Sequence, residues 1–359
     1  MMKKRNITEI KFLLLLAVFL VPMTFTSCQD EDDDNEQVQV EGIYIVNEGQ
    51  FGNNNGSITL MDPETGDMIE NYFEDKNGRT PGDVLQDLSF SEDMAYIVAN
   101  NSKTLAIIDK STFEQLDELP SLSYPRQFLA VNQDKGYLTD GASADSSRGH
   151  VLVIDLNDHL ITDSIEVGRG PESMVKVDNK VFVTNGGGFK MDNTVSVIDA
   201  ADDEVIETVN VGYIPTDVVK DKNNHVWVLC KGLSSYQTGG PTPSKLVKIN
   251  PENYQTNALD IGKISSYGNY LLSIGPDKEN LYYAGENGIY NMNISDSDVP
   301  GEPVIDRIPY GLDVNPESGN IYCLTTDFQT KGYAYRYNPD HELMDSTRVG
   351  YNPNAVVFE

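Results

Sequence analysis

The sequence predicts an all-β fold: a seven-bladed β-propeller whose ring is closed by the C-terminal strand in the first blade. Three observations predict it. A short strand with a central aromatic returns seven times from residue 43 onward. An alternating strand ending in Asp or Asn follows most copies, and no long amphipathic helical pattern competes. Four short strands in each repeat of 40 to 55 residues is the pattern of a propeller blade.

The first strand signal reads IYIV at 43, AYIV at 95, GYLT at 136, VFVT at 181, VWVL at 226, LYYA at 281 and IYCL at 321. Its aromatic is Tyr44, Tyr96, Tyr137, Phe182, Trp227, Tyr282 or Tyr322. Downstream come ITLMD, LAIID, VLVID, VSVID and LVKIN, ending at Asp62, Asp109, Asp155, Asp199 and Asn250. The copies around Asn293 and Asn338 are weaker. Recurrence of the Asp blade after blade points to a turn role, not to catalysis. A further strand such as VIETVNVG, a turn with Pro or Gly, and a strand such as PESMVKV complete each unit. The chain enters in the second strand of a blade and ends on NPNAVVFE, which matches the inner strands. Residues 42–359 are thus expected to form one ring whose last strand removes the open edge of the first blade.

Residues 1–27 read as a secretory signal. Lys3, Lys4, Arg5 and Lys11 precede 14 apolar residues from Phe12 to Phe25, fewer than the roughly 20 of a membrane-spanning helix. The FTSC sequence ending at Cys28 resembles a bacterial lipobox, which implies a lipidated Cys28 as the mature N-terminus. Residues 28–41 then form an acidic tether, QDEDDDNEQ, similar to the surface-export signals of Bacteroidetes lipoproteins. The expected location is the outer membrane, lipid-anchored and facing the cell exterior. The formal charge is −30, and loss of four basic groups with Glu9 leaves −33. Nucleic acid and anionic lipid are therefore poor partners. Cys230 and Cys323 fall two repeats apart and read as packed thiols.

The repeat Y-V-x-N-x…V-x-V-I-D…V-G-x-x-P, over residues 43–359, resembles the YncE-like propellers. The opening IYIVNEGQFGNNNGSITLMDPETG is similar to Bacteroidetes surface propeller lipoproteins, including the BtuG-type proteins. That resemblance implies capture of a corrinoid (vitamin B12) and handover to a TonB-dependent outer-membrane receptor. Protein- or glycan-binding adhesion, and a metal-dependent lactonase-like enzyme, stand as alternatives.

Loops between second and third strands share a face with those joining one blade to the next. The first class is long and glycine-rich, as in NEGQFGNNNG, TNGGGFKMDN and CKGLSSYQTGGPTPS. The second places Arg79, Tyr124, Arg126, Arg169, Tyr213, Tyr267, Tyr310 and Tyr351 before or at the inner strands. A funnel of tyrosine and arginine suits a bulky amphipathic ligand, so these eight are the candidate binding residues. Equally, they could cover blade ends and neutralise carboxylates. No cofactor or metal site is expected. His150, His159, His225 and His341 lack metal-ligand spacing, and there is no G-x-S-x-G, H-E-x-x-H or Walker loop.

Overall fold

A computed structural model describes residues 42–63, 65–141 and 148–359. The signal sequence, Cys28 and the acidic tether lie outside the described residues, as does part of the loop after Asp140. Seven antiparallel sheets make up the described chain, six of four strands and one of three. Innermost strands pack side by side around a closed circuit, each touching the inner strand of the next blade.

Closure is where the pattern placed it. Pro353–Phe358 pairs antiparallel with Ile43–Asn47, aligning Val356 with Ile45 and Phe358 with Ile43. Ser57–Met61 and Met68–Ile69 finish blade 1. The end of the chain is also latched by side chains. Lys110 of blade 2 sits 2.9 Å from the Glu359 carboxylate, and Tyr44 donates to Glu359 at 3.2 Å.

The aromatics in register all fall on second strands and are buried, from Tyr137 and Phe182 at 0 % exposure to Tyr282 at 8 %. They do so because a residue facing the next blade is sandwiched between two sheets. Seven separate apolar clusters result, such as the one joining Phe182 and Val195 of blade 4 to Val218 and Val228 of blade 5. Burying an aromatic contributes about 1.5–3 kcal/mol, so each interface is a small core in its own right. Cys230 and Cys323 are buried free thiols, and burial pushes each up to about 12.

The recurrent Asp closes the third strand as a turn acceptor. Asp109 Oδ1 takes the amides of Ser111 and Thr112 at 3.0 and 2.9 Å, and Asp155 Oδ1 those of Asn157 and Asp158. Two departures from the repeat are visible. Blade 6 keeps Leu272–Ile274, Asn280–Ala284 and Ile289–Asn293, and its fourth strand shrinks to one bridge between Ile289 and Ile305. Pro300 and Pro303 lie just before that bridge and cannot donate to a ladder. A short helix, Tyr72–Asn77, follows the two-residue outer strand of blade 1 and buries Phe73 against Phe113.

Candidate functional site

Antiparallel order puts the starts of the inner strands, the loops after the second strands and the blade connections on one face. Backbone bonds join these segments: Gly49, Gly141, Gly187 and Gly232 donate to the carbonyls of Tyr351, Tyr124, Arg169 and Tyr213 at 2.8–3.0 Å. At this level the inner strands of blades 1 to 5 do not run in simple register. Each carries a bulge against its second strand: Val46/Asn47 against Pro353–Ala355, Leu85/Asp87, Pro125/Phe128, Pro171/Met174 and Pro215/Asp217. A bulge leaves a residue out of the ladder and re-aims its side chain. Those residues are Asn354, Gln86, Arg126 with Gln127, Glu172 with Ser173, and Thr216, every one polar.

Four of them, Asn354, Gln86, Arg126 and Glu172, meet four more residues in one network at the centre of the ring. Glu48, the first residue after the second strand of blade 1, accepts from Tyr310 at 2.9 Å, Gln86 at 3.1 Å and Asn354 at 3.4 Å. Arg126 Nε donates to Glu172 at 2.6 Å. Lys231 holds the position in blade 5 that Glu48 holds in blade 1, and donates to Gly268 O and to Asn269 Oδ1. Tyr270, leading into blade 6, is coupled to Arg126, Glu172, Asp87 and Asp217 together, so groups from blades 2 to 6 face one space.

Electrostatics reflect a desolvated setting. Burial raises the Glu48 carboxyl, against the donors Tyr310, Gln86 and Asn354 and the charge of Arg126. Burial opposes the Arg126 charge, yet Glu172, Tyr270 and Tyr124 outweigh it and the guanidinium is held above its ordinary value. Lys231 is lowered to about 8, because burial wins over Glu172 and Asp217. Thr216 Oγ1 and Asn354 Oδ1 are buried without a hydrogen-bond partner.

One residue deeper, aspartates stitch blades together. Asp87 accepts the Phe128 amide at 3.0 Å, Asp217 the amides of Leu271 and Leu272 at 2.8 and 2.9 Å, and Asp313 that of Val356 at 2.8 Å. Burial raises Asp87 and Asp217 to about 6, and Asp313 well above its usual range.

Above the network lies an aromatic rim. Phe51, Phe189, Tyr236, Tyr267 and Phe328 are exposed, one on each of five loops of this face. A groove of about 970 Å³ opens beside Lys231, between the loop 231–243 and the connection 262–267.

Of the eight residues expected from the sequence, the network contains Arg126 and Tyr310. Tyr124 lies under the Arg126 guanidinium, 5.7 Å from its centre, and packs on Phe189. Tyr267 lines the groove, 84 % exposed. Tyr213, Arg169 and Tyr351 occupy equivalent places two residues before their inner strands, where the carbonyls take the loop amides described above. Arg79 is turned outward, 3.2 Å from Glu118 on the outer strand of blade 2, and is not brought to the centre. Sequence reasoning missed Glu48, Gln86, Glu172, Thr216, Lys231, Tyr270 and Asn354. A usable signal existed for two of them: Glu48 and Lys231 put a charge directly after IYIVN and VWVLC, where blades 2, 3 and 4 have Asn100, Gly141 and Gly186.

The model of DUF5074, a domain of unknown function, matches residues 41–350. The chain belongs to the DUF5074 family. No curated protein matches it. The DUF5074 chain is similar to a quinoprotein alcohol dehydrogenase-like protein from Bacteroides thetaiotaomicron, at 16 % identity and a TM-score of 0.64 over 89 % of this chain and 78 % of that one. A functionally unknown protein from Desulfotomaculum acetoxidans gives 10 % and 0.64, over 89 % and 98 %. A protein assigned as a 6-phosphogluconolactonase from Bacteroides uniformis gives 14 % and 0.61, over 89 % and 100 %. These likenesses speak for the propeller fold that DUF5074 adopts here.

Proposed function

We propose that this DUF5074 chain is a non-catalytic ligand-binding lipoprotein. It is anchored through Cys28 to the outer membrane, faces the cell exterior, and captures a bulky polar ligand for a TonB-dependent receptor. The observation that carries the binding reading is the single central network of bulge-aimed polar residues beneath an exposed aromatic rim. Large, partly apolar pockets with a few convergent polar groups are where ligands bind. A corrinoid is the most concrete candidate, because its broad ring and many amide groups match an aromatic rim over mixed donors and acceptors. The YncE-like and BtuG-type resemblance of the repeats supports the same choice.

Calorimetry of a chain starting at Gly42 with cyanocobalamin tests it. Binding at micromolar concentration or tighter is expected, weakened about tenfold or more by Tyr310→Phe or Tyr267→Ala if each anchors the ligand. No heat and no thermal shift with cobalamin or its precursors would move the reading to adhesion. The hydroxyl-rich groove beside Lys231 is the observation that favours a glycan in that case. A lactonase-like mechanism needs a held metal. Among the described residues no group of three or more His, Cys, Asp or Glu is placed to hold one.

A further inference from the structure

The groove beside Lys231 differs in charge from the rest of the molecule. In a chain of formal charge −30, Lys231 and Lys263 line it and no carboxylate does. Its walls are held in place before anything binds. Ser244, 2 % exposed, donates to Lys231 O at 2.6 Å and accepts the Ile264 amide at 3.2 Å, tying one wall to the other. Thr242 Oγ1 takes the Leu233 amide at 2.9 Å, and Gln237 Oε1 that of Ser234 at 2.6 Å. Tyr236 and Tyr267, 86 % and 84 % exposed, stand at the rim.

We propose that this groove is an anion-reading subsite: it takes the phosphate or carboxylate of a ring-bearing small molecule, Lys231 meeting the anion and Tyr236 and Tyr267 stacking on the ring. The assignment rests on the reading of this face as ligand-binding and sets the anionic group of the ligand over blades 5 and 6, to one side of the central network. Two tyrosines give stacking area at small entropy cost, and serine and threonine hydroxyls supply adaptable hydrogen bonds. A half-buried ammonium gains more from an anion than a fully exposed lysine does, because the surroundings screen it less.

The test is calorimetry with glucose, glucose 6-phosphate and glucuronate, and in parallel with cyanocobalamin and dicyanocobinamide, a corrinoid without the phosphate. The wild type is expected to bind at least one anionic member of a set at least tenfold tighter than its neutral counterpart. The two sugar acids separate phosphate from carboxylate. Lys231→Met should bring the members of a pair to within twofold. Tyr267→Ala and Lys263→Ala, both at exposed positions, should weaken the anionic ligand while leaving the melting temperature unchanged, which guards against a misfolded Lys231 variant. Equal binding of anionic and neutral members, no binding of any probe at millimolar concentration, or an undiminished preference in Lys231→Met overturns the subsite. Cobalamin and cobinamide binding equally tightly, with no preference among the sugars, sinks the subsite and leaves corrinoid capture standing. An anionic sugar that binds while both corrinoids do not has the opposite meaning.

Discussion

Arg126 and Glu172 form a near-buried pair, side chains 11 % and 13 % exposed, with 2.6 Å between Nε and Oε2. Arg126→Met keeps the packing of the long stem and leaves the Glu172 carboxylate without its partner. Breaking a buried pair from one side costs about 3–5 kcal/mol, and the Lys231 charge facing Glu172 favours the lower end. Unfolding entropy of about 2.1 cal/mol/K per residue over a ring of roughly 320 residues amounts to ~0.7 kcal/mol/K. The expected fall in melting temperature is therefore about 4–7 °C. In Arg126→Met/Glu172→Leu both charges are gone, and most of the loss should return. The assay is a calorimetric cycle of wild type, two single variants and the double variant at pH 7. A single variant melting within about 1 °C of wild type, or a double variant showing the sum of both losses, would refute the claim that the two charges compensate each other.

Deleting residues 352–359 strips the inner strand from blade 1 and bares the edge of Ile43–Asn47, so the truncated chain should lose several kcal/mol and aggregate in a light-scattering melt. Asp87 and Asp217 titrate near 6 in the fold against about 3.8 unfolded, so the folded state holds more protons between those values. Their contribution is fully present below pH ~4 and is lost as pH rises through 6; the melting temperature should be higher at pH 5 than at 7.5, and Asp87→Asn should narrow that gap. Replacing Cys28 with Ala should release the protein from membranes on fractionation. Neutralising Asp30 to Asp34 should remove protease accessibility on intact cells; unchanged accessibility would discount the tether as an export signal.

The fold was legible because its signals are periodic. Each central aromatic marks a residue sandwiched between blades, and NPNAVVFE could be matched to the inner strand it becomes. The outer strand of blade 6 was not, since Pro300 and Pro303 leave no alternation to read. The site was legible only in part for a related reason. Pattern reasoning tracks strands by their alternation, whereas the central residues are those that a bulge removes from it. Arg126 and Tyr310 were found by being conspicuous beside a turn. Glu172 and Asn354 sit inside segments that read as regular strand, and nothing local announces that the ladder skips them. Arg79 shows the converse: it looks equivalent in the sequence, but the helix Tyr72–Asn77 precedes it and its charge is taken up by Glu118.

The strand that closes the ring also sets a deadline on maturation. Ile43–Asn47 is among the first parts of the ring to be made, and its partner, with the Glu359 latch, is the last. Until those final residues arrive, blade 1 keeps an unpaired edge exposed to every other unfinished chain nearby, the condition under which strands pair wrongly. Contacts spanning more than 300 residues also make closure slow, because the loop to be ordered is nearly the whole domain. A chain exported unfolded could fold only after release, once both halves of blade 1 stand on the same side of the membrane.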